Sequence, residues 1–193
     1  MTRATLIIGW TIFLFVSVEA QDTPKVEAFG GFSFAAIATP EDKFTAKGWH
    51  AMIAVNSRQR WFEFVADFSG HYGSINRVPT HTHIALAGVR FSYQHGRLIG
   101  FTHSLYGISF GRPPLISSDD LKRSQRVWFT FVPCGGGMDI VLRQRVAVRL
   151  FQVDVIVHSE TPADLQGYPQ TDQTGSSIQL RLSTGIVFRF GKI

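Results

Sequence analysis

Apolar and polar residues alternate along the carboxy-terminal stretch Ser177-Ile178-Gln179-Leu180-Arg181-Leu182-Ser183-Thr184-Gly185-Ile186-Val187-Phe188-Arg189-Phe190. The apolar face carries Ile178, Leu180, Leu182, Ile186, Phe188 and Phe190, and Thr184 lies on the same face. The opposite face carries Ser177, Gln179, Arg181, Ser183 and Arg189. A period of two residues is typical of a β-strand with one apolar and one polar side.

Seven runs rich in Phe, Val, Ile, Gly and Ala precede this stretch, and none has a sustained helical period. The predicted strands are Lys25–Ile37, Ala46–Ser57, Trp61–Gly73, His81–Tyr93, Leu98–Ser109, Arg126–Asp139, Arg145–Val157 and Gly175–Phe190. Strand 3 alternates like strand 8, with Phe62, Phe64, Ala66, Phe68 and Tyr72 opposite Glu63, Val65, Asp67, Ser69 and His71. The sequence therefore predicts an all-β chain of eight strands.

The predicted connections alternate between short and long. The short ones are Arg58-Gln59-Arg60, Gln94–Arg97 and Leu142–Gln144. The longer, polar ones are Ala38–Thr45, Ser74–Thr80, Phe110–Gln125 and His158–Thr174. These longer connections hold six of the eight prolines: Pro40, Pro79, Pro113, Pro114, Pro162 and Pro169. An even strand count with all long loops at one end is typical of an up-and-down transmembrane β-barrel.

Aromatic residues at both ends of the apolar faces favour a membrane over a soluble barrel, because alternation alone does not tell which face points inward. Trp49, Tyr72, Tyr106 and Trp128 are predicted near the long-loop end, and Phe91, Tyr93, Phe188 and Phe190 near the short-turn end. Aromatic girdles of this kind mark the two membrane interfaces. A strand of about 12 residues tilted by about 40° covers roughly 30 Å, enough to cross the apolar layer.

The last strand ends in a polar residue, a glycine and two spaced aromatics: Ser183, Gly185, Phe188 and Phe190. This pattern resembles the carboxy-terminal assembly signal of outer-membrane barrels, although Gly191-Lys192-Ile193 follows it. With Phe29-Gly30-Gly31-Phe32-Ser33, the run from Val65 to Gly73 and Gly88-Val89-Arg90-Phe91-Ser92-Tyr93, nearly the whole mature chain resembles the small eight-stranded barrels of the outer-membrane-protein-A-like superfamily.

The resemblance implies an integral protein of the bacterial outer membrane with a structural or surface-binding role. It implies contact with membrane lipid and lipopolysaccharide, and insertion by periplasmic chaperones and the barrel assembly machinery. An extracellular ligand at the long loops is possible under this interpretation, but nothing in them names one. We expect the chain to lack the periplasmic peptidoglycan-binding domain that larger members carry.

Charged residues recur on the polar faces, which in a membrane barrel point inward. The candidates for a barrel-interior charge network are Glu27, Glu63, Asp67, Arg90, Asp139, Arg149, Arg181 and Arg189, together with His71 and Gln179. An eight-stranded barrel has room only for side chains inside, and an unpaired charge there costs several kcal/mol. Four acids and four arginines therefore predict a packed core of ion pairs and no wide pore, with a gated conductance path as the alternative.

Two strands break the alternation. Arg149 and Asp154 would lie on opposite faces of a regular strand 7, so we predict a bulge near Leu150 and Phe151. In strand 6, Pro133 has no backbone N–H to donate, which predicts a second irregularity beside Cys134. That lone thiol is expected to face lipid or to be packed.

Length and composition exclude several other classes. The chain has 193 residues with only 17% charged residues and 17 Phe, unlike a disordered protein. A single cysteine excludes an intrachain disulfide framework. The apolar run Ala4–Val18 followed by Val18-Glu19-Ala20 predicts a signal peptide over residues 1–20 and a mature chain from Gln21. The net charge of +5 comes from scattered arginines, which argues against nucleic-acid binding.

Catalysis is the first alternative, in the form of an outer-membrane barrel enzyme acting on lipid, such as a lipid A deacylase or acyltransferase. His158-Ser159-Glu160 contains the residue types of a hydrolytic triad, and His103-Ser104 contains two of them. Adjacent residues of an extended chain point to opposite sides, so neither group forms a nucleophile and base pair there. We predict no enzyme and no catalytic residue.

Ligand binding inside a barrel provides the remaining alternatives. His81 and His83 share a face and could hold a metal with His71 or Asp67, but no third ligand has a specific spacing. We therefore predict no metal and no cofactor. A secreted lipocalin-like barrel would require the Phe-rich faces to turn inward around an apolar ligand.

Overall fold

The computed structural model describes residues 24–38, 43–57, 61–75, 78–112, 126–160 and 176–191. These residues form eight strands: β1 (Val26–Ala38), β2 (Lys43–Asn56), β3 (Phe62–Ile75), β4 (Val78–His95), β5 (Leu98–Arg112), β6 (Arg126–Arg143), β7 (Val146–Glu160) and β8 (Ser176–Phe190). Each strand pairs antiparallel with the next, and β1 pairs antiparallel with β8, so the sheet closes into a barrel. The predicted fold class and strand count are confirmed.

The predicted signal peptide, residues 1–20, lies outside the described residues. No helix in the described part of the chain is long and apolar enough to cross a membrane.

Two of the predicted long loops are much shorter than expected. Strand β2 begins at Lys43, and only residues 76–77 separate β3 from β4, so half of Ala38–Thr45 and most of Ser74–Thr80 belong to strands. Pro79 lies within β4 opposite Ser74, where the sequence predicted a loop. The ladder between β4 and β5 begins only at His81, so the missing N–H of this proline breaks no ladder bond to β5.

The length difference between the two ends of the barrel therefore rests on two connections. Residues 113–125 and 161–175 join β5 to β6 and β7 to β8, and both lie outside the described residues. At the opposite end, two-residue turns at residues 96–97 and 144–145 join β4 to β5 and β6 to β7. Gly96 has a φ of 59°, a left-handed conformation that favours glycine in such a turn.

The apolar faces point outward, as the girdle argument predicted. In β8, Leu180 and Leu182 are 48% and 47% exposed, whereas Arg181 between them is fully buried. β3 shows the same arrangement, with Phe64 and Phe68 exposed beside buried Asp67. The barrel thus presents an apolar outer wall around an interior that holds buried charged side chains.

The placement of Trp128 in the outer girdle was wrong. Its side chain is buried and meets the ring of His158 edge-on, with 6.4 Å between ring centroids. The pairing of β6 shifts between Phe131 and Cys134, so residues before the shift have the opposite parity to those after it. If the alternation is counted back from inward-facing Asp139 without this shift, it assigns Trp128 to the outer face.

Both predicted irregularities are confirmed. The register of β7 against β8 shifts between Arg149 and Gln152, and the extra residues Leu150 and Phe151 are both exposed on the outer wall. This bulge lets Arg149, Gln152 and Asp154 all point inward. Cys134, next to Pro133 in the β6 bulge, is exposed on the outer wall.

Candidate functional site

The structure places all eight predicted charged residues inside the barrel. None is more than 5% exposed: Glu27, Glu63, Asp67, Arg90, Asp139, Arg149, Arg181 and Arg189. His71 and Gln179 are buried with them. The interior therefore combines charged and polar side chains with a cluster of buried apolar ones that includes Met52, Leu105 and Ile156. Its polar contacts fall into four groups along the barrel.

At the short-turn end, Arg90 joins two glutamates. Its Nε donates to Glu63 and its Nη2 donates to Glu27, while the hydroxyl of Ser92 also donates to Glu63. Arg189 donates from Nε to the second oxygen of Glu27 at 3.2 Å. These bonds connect β1, β3, β4 and β8 across this end of the lumen.

Arg149 lies between aromatic rings and an acid. It donates to both oxygens of Asp139, from Nε at 2.8 Å and Nη2 at 3.1 Å, and from Nη1 to Gln152 at 2.6 Å. Its guanidinium carbon lies 4.2 Å from the ring centroid of Phe29 and 4.4 Å from that of Phe101. This bidentate and stacked arrangement suits arginine and not lysine.

Arg181 occupies the centre of the barrel. Its Nη1 and Nη2 donate to the two oxygens of Asp67, both at 2.9 Å, and its Nε donates to Asp154 at 2.8 Å. A further bond from Nη1 reaches the hydroxyl of Ser69 at 2.9 Å. One side chain from β8 therefore holds β3 and β7 together across the lumen.

Sequence reasoning missed three residues of this central group. Asp154 is a fifth interior acid, and two histidines complete the pairs: His103 Nε2 lies 2.8 Å from Asp154 Oδ1, and His50 Nε2 lies 2.7 Å from Asp67 Oδ2. All three are buried. Strand alternation could have placed His50, which lies two residues from inward-facing Met52. Asp154 could have been placed inside as well, because the predicted bulge in β7 turns it to the same face as Arg149.

A glycine in β6 makes room for the central group. A Cβ atom at Gly135 would lie 2.2 Å from Asp154 Oδ1 and 2.3 Å from His103 Nε2. Both distances are far shorter than real contacts, so any side chain at residue 135 would displace the His103–Asp154 pair. Gly135, the first glycine after Cys134, is therefore part of the site.

Toward the long-loop end, the hydrogen bonds of His158 within the described part of the chain involve no acid. His158 Nδ1 lies 3.0 Å from Thr130 Oγ1 and 3.2 Å from Ser109 Oγ, and its Nε2 lies 3.1 Å from Gln179 Oε1. The Ser109 and Thr130 hydroxyls also bond to each other. These four residues, called here the hydroxyl–histidine cluster, link β5, β6, β7 and β8.

The residues of the two candidate hydrolytic groups lie apart, as strand alternation predicted. His158-Ser159-Glu160 belongs to β7 and not to a loop, with His158 buried inside and Ser159 exposed on the outer wall. Likewise His103 points inward, whereas the Ser104 hydroxyl donates to the Val132 carbonyl at 3.2 Å. The barrel wall therefore separates each histidine from its neighbouring serine.

His81 and His83 are also separated from their suggested co-ligands. Their ring centroids lie 6.0 Å apart on the outer wall, where His83 packs on Tyr72 and Phe110. His71 and Asp67 are buried inside. Among the described residues, no group of three or more His, Cys, Asp and Glu side chains is placed to hold a metal ion.

The residues of the predicted assembly signal have separate packing roles. Ser183 is buried and its hydroxyl donates to Ser33 Oγ at 3.2 Å. A Cβ atom at Gly185 would lie 2.3 Å from the carbonyl oxygen of Gly30, so β1 and β8 need this glycine to approach. Phe188 and Phe190 lie on the outer wall, each about half exposed. Recognition by the assembly machinery stays a prediction.

Solved structures resemble this barrel, although no family model and no curated protein matches the chain. Neisserial surface protein A superposes with a TM-score of 0.64 at 8% identity, covering 86% of this chain and 97% of that one. The amino-terminal barrel of Pseudomonas aeruginosa OprF gives 0.49 at 10% identity, covering 88% and 100%. Ail, the attachment invasion locus protein of Yersinia pestis, gives 0.45 at 11%, covering 86% and 99%. The superposition on Neisserial surface protein A shows that the two chains share a barrel fold.

Proposed function

We propose that this protein is an integral protein of the bacterial outer membrane with a structural or surface-binding role and no catalytic activity. The observation that carries the proposal is the inversion of the barrel. Acids and arginines are buried within the wall of strands and large apolar side chains cover its outer face, the reverse of a barrel built for water.

The composition of the outer wall favours a location in a membrane. Every strand contributes a large exposed apolar side chain: Phe32, Ile53, Phe64, Phe91, Ile108, Phe129, Val153 and Leu182. A contiguous apolar surface of this size is rare on a monomeric soluble protein. A lipocalin-like protein would carry these side chains inside, so this alternative loses its support.

The interior supports a packed core. At the centre, Arg149, Arg181, Asp67 and Asp154 have no exposed surface, and each is held by hydrogen bonds to other interior side chains. Side chains therefore fill the lumen at this level, as the width of an eight-stranded barrel requires. This favours a structural role over a wide pore.

The geometry does not favour lipid chemistry. A lipid hydrolase or acyltransferase in this barrel needs a nucleophile and a base within hydrogen-bond reach at the outer surface. His158 and Ser159 lie on opposite sides of the wall, as do His103 and Ser104. We propose on this ground that the protein is not an enzyme.

The proposal includes a route and a set of partners. Residues 1–20 direct export and are cleaved before Gln21, and periplasmic chaperones and the barrel assembly machinery insert the mature chain. The apolar wall then contacts outer-membrane lipid and lipopolysaccharide. Any extracellular ligand binds at the long loops, residues 113–125 and 161–175.

Refolding tests this proposal directly. The chain from Gln21 is refolded with and without detergent micelles, and boiled and unboiled samples are compared on a denaturing gel. We expect a faster-migrating unboiled band only with detergent. A monodisperse folded protein in detergent-free buffer would contradict the proposal.

A matched pair of substitutions tests the direction of the faces. Leu182→Arg places a charge in the middle of the outer wall, where it costs about 2–4 kcal/mol in a bilayer. Ser159→Arg places the same charge on the outer wall near the long-loop end, where the cost is about 0–1 kcal/mol. Urea unfolding in lipid vesicles measures both, and equal stability of the two variants would argue against a lipid-facing wall.

A further inference from the structure

Arginines from separate turns meet at the short-turn end of the barrel. Arg97 lies in the turn between β4 and β5, and Arg143 and Arg145 flank Gln144 at the turn between β6 and β7. All three are exposed. With Arg189 of β8 they line one open depression of about 470 Å³, whose wall also includes Gln94 and Leu142. We call Arg97, Arg143 and Arg145 the arginine rim.

Backbone hydrogen bonds fix the arginine rim around the mouth. The Arg97 carbonyl accepts from the Val141 N–H at 2.8 Å, which ties the first turn to β6. The Arg145 carbonyl accepts from the Arg189 N–H at 2.9 Å, which ties the second turn to β8. The two turns are therefore held by the barrel and are not free loops.

The arginine rim has no acidic partner within the described residues. The ion pairs there involve Arg90, Arg149, Arg181 and Arg189, and none of the three rim side chains takes part. Glu27, on the inner side of the mouth, is already bonded to Arg90 and Arg189. Three exposed guanidinium groups around one depression thus form a concentrated positive surface.

The level of the arginine rim along the barrel axis indicates which part of the membrane it contacts. Arg145 is bonded to Arg189, which lies between the girdle aromatics Phe188 and Phe190. Aromatic girdles lie at the level of the lipid headgroups. The short turns of an outer-membrane barrel face the periplasm, so this level is the inner leaflet.

We propose that the arginine rim binds the phosphate of an anionic phospholipid headgroup in the inner leaflet of the outer membrane. Guanidinium groups bind phosphate oxygens through two parallel hydrogen bonds, and the depression that they line is open to a headgroup. Exposed Leu142 in the same wall provides apolar contact for the adjoining part of the lipid. The inference rests on the proposed membrane location and adds a ligand class to it.

Native mass spectrometry of the detergent-solubilised protein tests this inference. The folded chain is titrated with phosphatidylglycerol, with phosphatidylcholine of the same acyl chains, and with inorganic phosphate. We expect tighter binding of phosphatidylglycerol than of phosphatidylcholine, and no displacement by inorganic phosphate at equal concentration. The variant Arg97→Gln/Arg143→Gln/Arg145→Gln should bind phosphatidylglycerol about 100-fold more weakly, since each surface arginine contributes about fivefold.

Matched variants identify the cause of any loss. Lys47→Gln removes an exposed cation far from the short turns and should leave phosphatidylglycerol binding unchanged. The single variants Arg97→Gln and Arg145→Gln should each weaken binding about fivefold, and they replace the triple variant if it does not fold. The heat-modifiable band of each variant reports folding.

Three results would overturn the inference. They are equal binding of the two lipids by the wild type, unchanged binding by the arginine variants, and displacement by inorganic phosphate at equal concentration. A wild type that folds in detergent but shows one of these results keeps the proposed function. A wild type that does not need detergent to fold overturns the proposed function itself.

Discussion

The centre of the lumen and its long-loop end are both buried and polar, yet they are built differently. In the centre, Arg181 bridges two carboxylates, Asp67 and Asp154, and spans the lumen from β8 to β3. In the hydroxyl–histidine cluster, Thr130 and His158 make contacts between hydroxyl, imidazole and amide groups, mostly between adjacent strands. The same barrel therefore uses ionic contacts at one level and uncharged ones at another.

The difference predicts where the barrel is most sensitive to substitution. Removing one member of a buried ion pair leaves a charge without compensation, which costs about 3–5 kcal/mol. Removing one hydrogen bond between uncharged groups costs about 1 kcal/mol. Stability should therefore depend more steeply on the central residues than on the hydroxyl–histidine cluster.

The largest effect is expected from Arg181→Met. This change leaves Asp67 and Asp154 buried without their shared cation, so the free energy of unfolding should fall by about 3–5 kcal/mol. Urea titration in lipid vesicles, followed by tryptophan fluorescence, measures the loss.

A neutral triple variant provides the control. Asp67→Asn and Asp154→Asn combined with Arg181→Met remove all three charges and should recover much of the lost stability, because well-packed neutral groups can replace a buried ion group at little cost. If Arg181→Met alone is as stable as the wild type, the central ion group does not hold the barrel together.

The strand faces were predictable because alternation is a local property. Arg181 and Asp67 each lie between apolar neighbours two residues apart in sequence, so the strand period alone assigns them to the interior. The same reasoning failed for Trp128, since a bulge resets the parity of every residue before it. Pro133 marks that bulge, and the change of parity that the bulge causes moves Trp128 to the interior.

Contacts across the lumen were not predictable in this way. Arg181 and Asp67 are 114 residues apart, and their strands are not neighbours in the barrel. The arginine rim was not predictable from the sequence either, although it lies at the surface. Arg97 and Arg145 are scattered in sequence, and only closure of the barrel brings their turns to one depression. Local patterns define strands, whereas sites depend on which strands face each other.

A smaller effect is expected at Gly135, which leaves space for the central group. Gly135→Ala would place a methyl group against Asp154 Oδ1 and His103 Nε2, so the pair must separate or β6 must shift. Overpacking of this kind costs about 1–3 kcal/mol. Gly100→Ala is the matched control, because a Cβ atom there meets nothing within 4 Å. Urea unfolding should distinguish the two, and an equal effect would mean that β6 adapts without disturbing the ion group.

The smallest effect is expected in the hydroxyl–histidine cluster. Thr130→Val keeps the shape of the side chain but removes its bonds to His158 and Ser109, at a cost of about 1 kcal/mol. Ser159→Ala, on the exposed face of the adjacent strand, is the control and should change the free energy of unfolding by less than about 0.5 kcal/mol. Neither variant leaves an ionised group unpaired. Both should therefore unfold at a clearly higher urea concentration than Arg181→Met does. If Thr130→Val proved as destabilising as Arg181→Met, the contrast between ionic and uncharged levels of the lumen would be wrong, and the barrel would depend equally on its whole polar interior.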